Sequence, residues 1–211
     1  MSISPIVSKN SNIRAIIFDF GNVLLEWNPW YVYRRHFENE DRMKAFFHEV
    51  DFAGWNALQD KGRTFKEGVA DHSQKFPRYA HLFQAYHDHW KDSIGDAFVG
   101  TVEILKRLKR AGYPLYGLSN WSAETFPFAR DKYDFFDLFD DMVISANVGF
   151  VKPEPEIYNL MLEKIGRPAI ECLFIDDSLA NIEQAKRMGF VTIHFTSPEQ
   201  LEDELTRMGI F

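Results

Sequence analysis

The stretch Ile13 to Leu25, IRAIIFDFGNVLL, decides how this chain is read. Its apolar run Ala15, Ile16, Ile17, Phe18 is too short for a soluble helix and ends abruptly at the carboxylate of Asp19, with Gly21 and Asn22 close behind. A run apolar at successive positions suits a parallel strand covered on both faces, and in open α/β sheets ligands bind just beyond the carboxyl ends of such strands. Asp19 is therefore expected at a strand tip, where chemistry is done. The plainer alternative is an aspartate that caps the turn after the strand.

Outward from this strand the chain changes character twice. Residues from about 30 to 92 carry helical periodicity, many aromatics and interleaved charges, which predicts several helices with breaks near Gly54, Gly62 and Pro77. From Asp96 a regular alternation begins. A helix over 99–110 ends at Gly112, and a strand over 115–118 runs into Ser119 and Asn120. A helical segment over 123–132 precedes a strand over 142–145 and a loop through Gly149 to Lys152 and Pro153. A helix over 156–165 ends at Gly166, and a strand over 172–175 runs into Asp176 and Asp177. A helix over 180–188, a strand over 191–194 and a helix from Pro198 complete the series.

Strand–helix alternation argues for a parallel sheet flanked by helices and joined by right-handed crossovers. The expected fold class is α/β: a Rossmann-like core over 1–27 and 96–211, with a small all-helical cap over 28–95 inserted after the first strand.

Composition bounds the partners. The 211 residues carry 24 Lys plus Arg against 31 Asp plus Glu, a formal charge of −7, and no basic block. That is a poor surface for a nucleic-acid backbone, where phosphate neutralisation dominates affinity, so no such partner is expected. Cys172 is the one cysteine, which excludes an intrachain disulfide and suits a reducing cytoplasm. The start, MSISPIVSKNSN, lacks the basic and apolar regions of a secretory signal, and no apolar run approaches the length of a membrane span. Monomer and homodimer are both compatible with this composition.

What stands at the end of each strand is more informative. Asp19 follows the first, Ser119 and Asn120 the second, Lys152 the loop after the third, Asp176 and Asp177 the fourth. Strands of a parallel sheet point one way, so these groups converge on one edge. Three carboxylates, a hydroxyl and an ammonium around a point suit a metal and a phosphate, and oxygen ligands suit Mg²⁺. Singly, each has a plainer role: Ser119 and Asn120 as helix caps, Lys152 as a solvated charge, the paired aspartates as caps of the next helix.

The series FDFGNVL, LSN, KPEPEIY and FIDDSLANIEQA resembles, in order and over nearly the whole chain, the four motifs of the haloacid dehalogenase-like hydrolase superfamily. The helical insertion is similar to that superfamily's cap. Within it, the chain is most similar to the branch holding bacterial α-D-glucose-1-phosphate phosphatase and the phosphatase domain of soluble epoxide hydrolase. The resemblance implies a Mg²⁺-dependent phosphatase of a small phosphorylated metabolite, for example a sugar phosphate. Asp19 would attack phosphorus and form an aspartyl-phosphate, with Ser119 and Lys152 completing the catalytic set. Phosphate would be held by Gly21, Asn22, Ser119, Asn120 and Lys152. The metal would be held by Asp19, the Gly21 carbonyl and Asp177, with Asp176 as a further or more distant ligand.

One departure matters. Many phosphatases of the superfamily carry a second aspartate two residues after the nucleophile as general acid and base; here that place is Gly21. Either a good leaving group, a water or a cap residue compensates, or the enzyme is slow. The metal-free haloacid dehalogenases, which also lack that aspartate, are the alternative. Against them stand the mutually repulsive Asp176 and Asp177, and Asn181 in place of a water-activating aspartate. Their cap arginine would have to be Arg34 or Arg35. A catalytically weak binding module is the third reading. The pair His87 and His89 would point to different faces of a helix and is not expected to bind a metal. Segments 51–55 and 60–62 are expected over the active site, where they would select the substrate.

Overall fold

The computed structural model describes residues 12–211. The N-terminal segment read above for a leader, and with it the start of the expected core, lies largely outside them. The strand β1 (Ala15–Phe18) forms where its apolar run demands, completely buried. Its side chains alternate between two cores: Ile16 and Phe18 face one, Ala15 and Ile17 the other. This is why a strand with no polar face is required at this place.

Two short strands, β2 (Leu25–Trp27) and β3 (Ile94–Ala97), pair antiparallel and bracket the helical insertion. They were not foreseen, because three or four residues are too few for alternation to show. Between them lie α1 (Trp30–Tyr33), α2 (Glu40–Glu49), α3 (Phe52–Asp60), α4 (Phe65–Lys75) and α5 (Ala80–Asp88). The break expected at Gly54 falls instead at Asp51, which takes a left-handed conformation (φ 47°) and accepts from the Gly54 amide to start α3. Gly54 is thus inside a helix. The breaks at Gly62 and Pro77 stand where expected. Thr64 and Glu67 start α4 with a reciprocal capping box.

The remainder alternates: α6 (Val99–Arg110), β4 (Leu115–Ser119), α7 (Phe126–Lys132), β5 (Asp141–Ile144), α8 (Ser145–Val148), α9 (Pro155–Ile165), β6 (Cys172–Asp176), α10 (Leu179–Arg187), β7 (Val191–His194) and α11 (Pro198–Arg207). The five core strands form one parallel sheet in the order β5-β4-β1-β6-β7. Apolar residues of α6 and α11 pack on the Ile16 face, those of α9 and α10 on the Ile17 face. Ser119 and Asp176 prove to be the last residues of their strands, and Ser145 already belongs to α8. The first strand is central, so its tip is flanked by the tips of β4 and β6.

Among the described residues no helix is long and apolar enough to cross a membrane.

Candidate active site

Beyond the tip of β1 the chain folds back sharply. The Asn22 amide donates to the Leu25 carbonyl (2.7 Å), and Asn22 takes φ 55°, a left-handed conformation that asparagine tolerates better than most residues. Its side-chain oxygen accepts from the Trp27 amide (3.1 Å). The turn leaves Asp19 at the floor of a cavity of about 520 Å³.

The neighbouring strands supply its partners. Ser119, ending β4, donates its hydroxyl to Asp19 Oδ1 (2.8 Å), and the Phe20 amide donates to the same oxygen (2.7 Å). Lys152 Nζ lies 2.9 Å from Asp19 Oδ2 and 2.7 Å from Asp176 Oδ2, and also donates to the Leu118 carbonyl (2.8 Å). Asp176 is completely buried, and both of its oxygens are engaged: Asn181 donates to each, the Ser178 amide to Oδ1. Asp177, the next residue, lines the cavity. One oxygen each of Asp19, Asp176 and Asp177 lie within 4.8 Å of one another.

Every residue expected at the site is therefore beside the cavity, but two do other work. Asn120 is committed to the Lys152 backbone, donating to its carbonyl (2.9 Å) and accepting from its amide (2.7 Å). Asn22 holds the turn through both its amide and its side chain. Each braces a neighbour instead of offering those groups to a phosphate. Arg34 and Arg35 lie around a separate depression with Tyr31 and Asp92, where Arg35 pairs with Asp92.

Charge in the floor is unbalanced: three carboxylates face one ammonium. Burial and the charges of Asp176 and Asp177 outweigh Lys152 and push Asp19 up to about 7. Burial, then Asp176, also raises Asp177. Burial disfavours charge on Lys152, but Asp176 and Asp19 overcome it and hold the ammonium above its ordinary range. A further positive charge placed among the three carboxylates would relieve this crowding, and their oxygens suit a hard divalent cation.

The upper walls come mostly from residues that sequence reasoning did not single out. Trp27, Trp90 and Trp121 line the cavity, with Asn56, Ala57 and Asp60 of α3 above the floor. Of the two segments expected there, 51–55 contributes Ala53 and 60–62 contributes Asp60; the three indoles had no signal beyond general aromatic richness.

The chain matches the family model of haloacid dehalogenase-like hydrolases over residues 13–189. It is 37% identical to a sesquiterpene phosphatase of Aspergillus oryzae, over 88% of this chain and 91% of that one. It is 24% identical to a drimenol cyclase of Aspergillus calidoustus, over 93% of this chain but only 36% of that longer protein. In fold it resembles a HAD family enzyme of Bacteroides thetaiotaomicron solved with magnesium and inorganic phosphate, with a TM-score of 0.67 and 22% identity, over 88% of this chain and 95% of that one. The strand-tip arrangement and the extent of the match together place this chain in the haloacid dehalogenase-like hydrolase family.

Proposed function

We propose that this hydrolase cleaves small phosphomonoesters with the aid of Mg²⁺, through a phosphoryl group carried on Asp19. The observation that carries the reading is the Asp19 carboxylate held by Ser119 and Lys152 beside two further aspartates at the floor of the cavity. An ionised carboxylate fixed by hydrogen bonds is a competent nucleophile toward phosphorus. Lys152 and the Ser119 hydroxyl, both in contact with Asp19, would meet the phosphoryl oxygens when Asp19 attacks. Of the two neighbouring acids, Asp177 is the better direct metal ligand, because Asp176 already serves Lys152, Asn181 and the Ser178 amide. Asp19 and the Gly21 carbonyl would complete the protein's share. When bound, the ion supplies the positive charge that keeps Asp19 ionised and neutralises the phosphate.

Residues 28–95 serve as the cap in this reading, since α3 and Trp90 close the cavity over the core. Three indoles favour a leaving group with an apolar face over a fully polar one, in keeping with the similarity to the sesquiterpene phosphatase. The buried, unpaired Cys172 is in keeping with a cytoplasmic setting. The dehalogenase alternative loses support because Arg34 and Arg35 line a different depression, and among the described residues no arginine lines the cavity to meet a carboxylate substrate.

Hydrolysis of p-nitrophenyl phosphate tests the reading. Turnover that needs Mg²⁺ and disappears in Asp19→Asn is the expected result. Halide release from 2-chloropropionate without metal would instead identify a dehalogenase, and neither reaction would leave a binding module.

A further inference from the structure

The cavity holds one carboxyl that the reaction above does not use. Asp60 closes α3, and its side chain lines the same cavity as Asp19, Ser119 and Lys152. It is held from two sides. Asn56, one turn earlier on α3, donates to Oδ2 (3.0 Å), and the Ser122 amide donates from the loop that follows Ser119. The backbone there is pinned as well: Ser145 donates its hydroxyl to the Asp60 carbonyl, and Gly62, at φ 111°, packs so closely on the Ala146 carbonyl that a Cβ would lie 3.1 Å from it. A carboxyl fixed across the seam between cap and core, facing the nucleophile, is more than a helix end requires.

We propose that Asp60 gives the leaving group its proton and later takes one from the attacking water, supplying from the cap what Gly21 cannot. This rests on the phosphatase reading. In the first half-reaction an Asp19 oxygen bonds to phosphorus, the phosphorus–ester oxygen bond breaks, and its electron pair takes the proton of the Asp60 carboxyl. In the second, Asp60 as carboxylate receives a proton from water as the water oxygen bonds to phosphorus. The bond from phosphorus to Asp19 then breaks and returns that carboxylate. An alcohol and inorganic phosphate leave, and Asp60 is again protonated.

The protonation state agrees with this duty. Burial raises the Asp60 carboxyl to about 7, against the Ser122 and Asn56 donors and with a further push from Asp19. The charged and titratable groups that act on it are Asp19 on the floor and Tyr86 on α5, whose phenol burial and Asp60 itself push up and so keep neutral. Near neutral pH Asp60 can exchange a proton in either direction, which general acid–base work requires.

Two probes of similar size separate this role from a structural one. p-Nitrophenyl phosphate has a leaving group that departs with little need of a proton, whereas benzyl phosphate releases an alkoxide that needs one. With Mg²⁺, Asp60→Asn should lower kcat/KM for benzyl phosphate by about 10²- to 10⁴-fold and for p-nitrophenyl phosphate by less than about tenfold. It should also remove the alkaline limb of the wild-type pH profile on benzyl phosphate. Thermal melting of the variant, read beside the kinetics, guards against loss of fold. Equal losses on both probes, an unchanged alkaline limb, or a wild type active only on p-nitrophenyl phosphate would overturn the role of Asp60 and leave the phosphatase reading intact. A wild type inactive on both would overturn both.

Discussion

Lys152 controls the charge balance of the site, because its ammonium lies within 3 Å of two carboxylates and is almost fully buried. Lys152→Met should abolish hydrolysis and, since it leaves buried charges unpaired, cost about 3–5 kcal/mol of stability. The sign of the pH effect follows from the carboxylates. Without the ammonium Asp19, already raised by burial, rises further, so the loss is largest at neutral and alkaline pH and shrinks as acidification protonates it. Urea unfolding at pH 8 and pH 5.5 measures the difference; an equal loss at both would contradict it. This lysine could be picked out from sequence only in company. A lone Lys before a proline reads as surface charge, and only its place in a series of strand-end residues marked it. Asn120 shows the limit: its position was legible, but its bond to the Lys152 backbone depends on a loop geometry that no local pattern carries. Gly21 is instructive in another way. A Cβ there would meet nothing closer than 3.9 Å, and its φ is ordinary, so the backbone does not demand glycine. Gly21→Asp should fold with a melting temperature near wild type, and in an Asp60→Asn background it should restore much of the hydrolysis of benzyl phosphate.

The central strands were the most legible elements, since a run buried on both faces leaves little other interpretation. The close approach of β4 to the turn after β1 was not. Gly117 lies under the Phe20 ring, where an added Cβ would sit 2.1 Å from Cζ. Phe20 in turn packs among Phe126, Phe136, Phe139 and Trp121. Gly117→Ala should therefore displace the ring next to Asp19 and cost about 1–3 kcal/mol. The expected readout is a lower denaturation midpoint with an unchanged slope, together with reduced kcat. Full stability in that variant would show that the ring moves without cost. The helical boundaries erred where side-chain capping overrode composition. Gly54 looked like a break, but Asp51 bends the chain three residues earlier and makes Gly54 part of the first turn. The pairing of β2 with β3 escaped notice because it joins segments nearly seventy residues apart, at the two ends of the insertion.

For the molecule as a whole, the cavity needs both the sheet and the helices inserted after its first strand. The floor belongs to the sheet edge, while α3 and Trp90 form the roof. Binding of Mg²⁺ at Asp19 and Asp177 should stabilise the folded chain by mass action, about 2.7 kcal/mol at a hundredfold excess over Kd, or roughly 5–10 °C in melting temperature. Asp177→Asn should remove most of that shift. Protons compete for the same oxygens, and Asp19 in the metal-free protein titrates near 7, so the shift should be larger at pH 8 than at pH 6. A shift independent of both pH and Asp177 would mean the ion binds elsewhere. Convergence of the strand tips was readable from the order of elements; the identity of the roof residues was not, because it depends on how a helical insertion settles on its core.

The most direct measurement looks for the covalent bond itself. Wild-type protein mixed with p-nitrophenyl phosphate and Mg²⁺, quenched in acid during turnover and digested, should yield one phosphorylated peptide, with the phosphoryl group on Asp19. Turnover with no phosphoryl group on the protein, or with it on a different residue, would contradict the account.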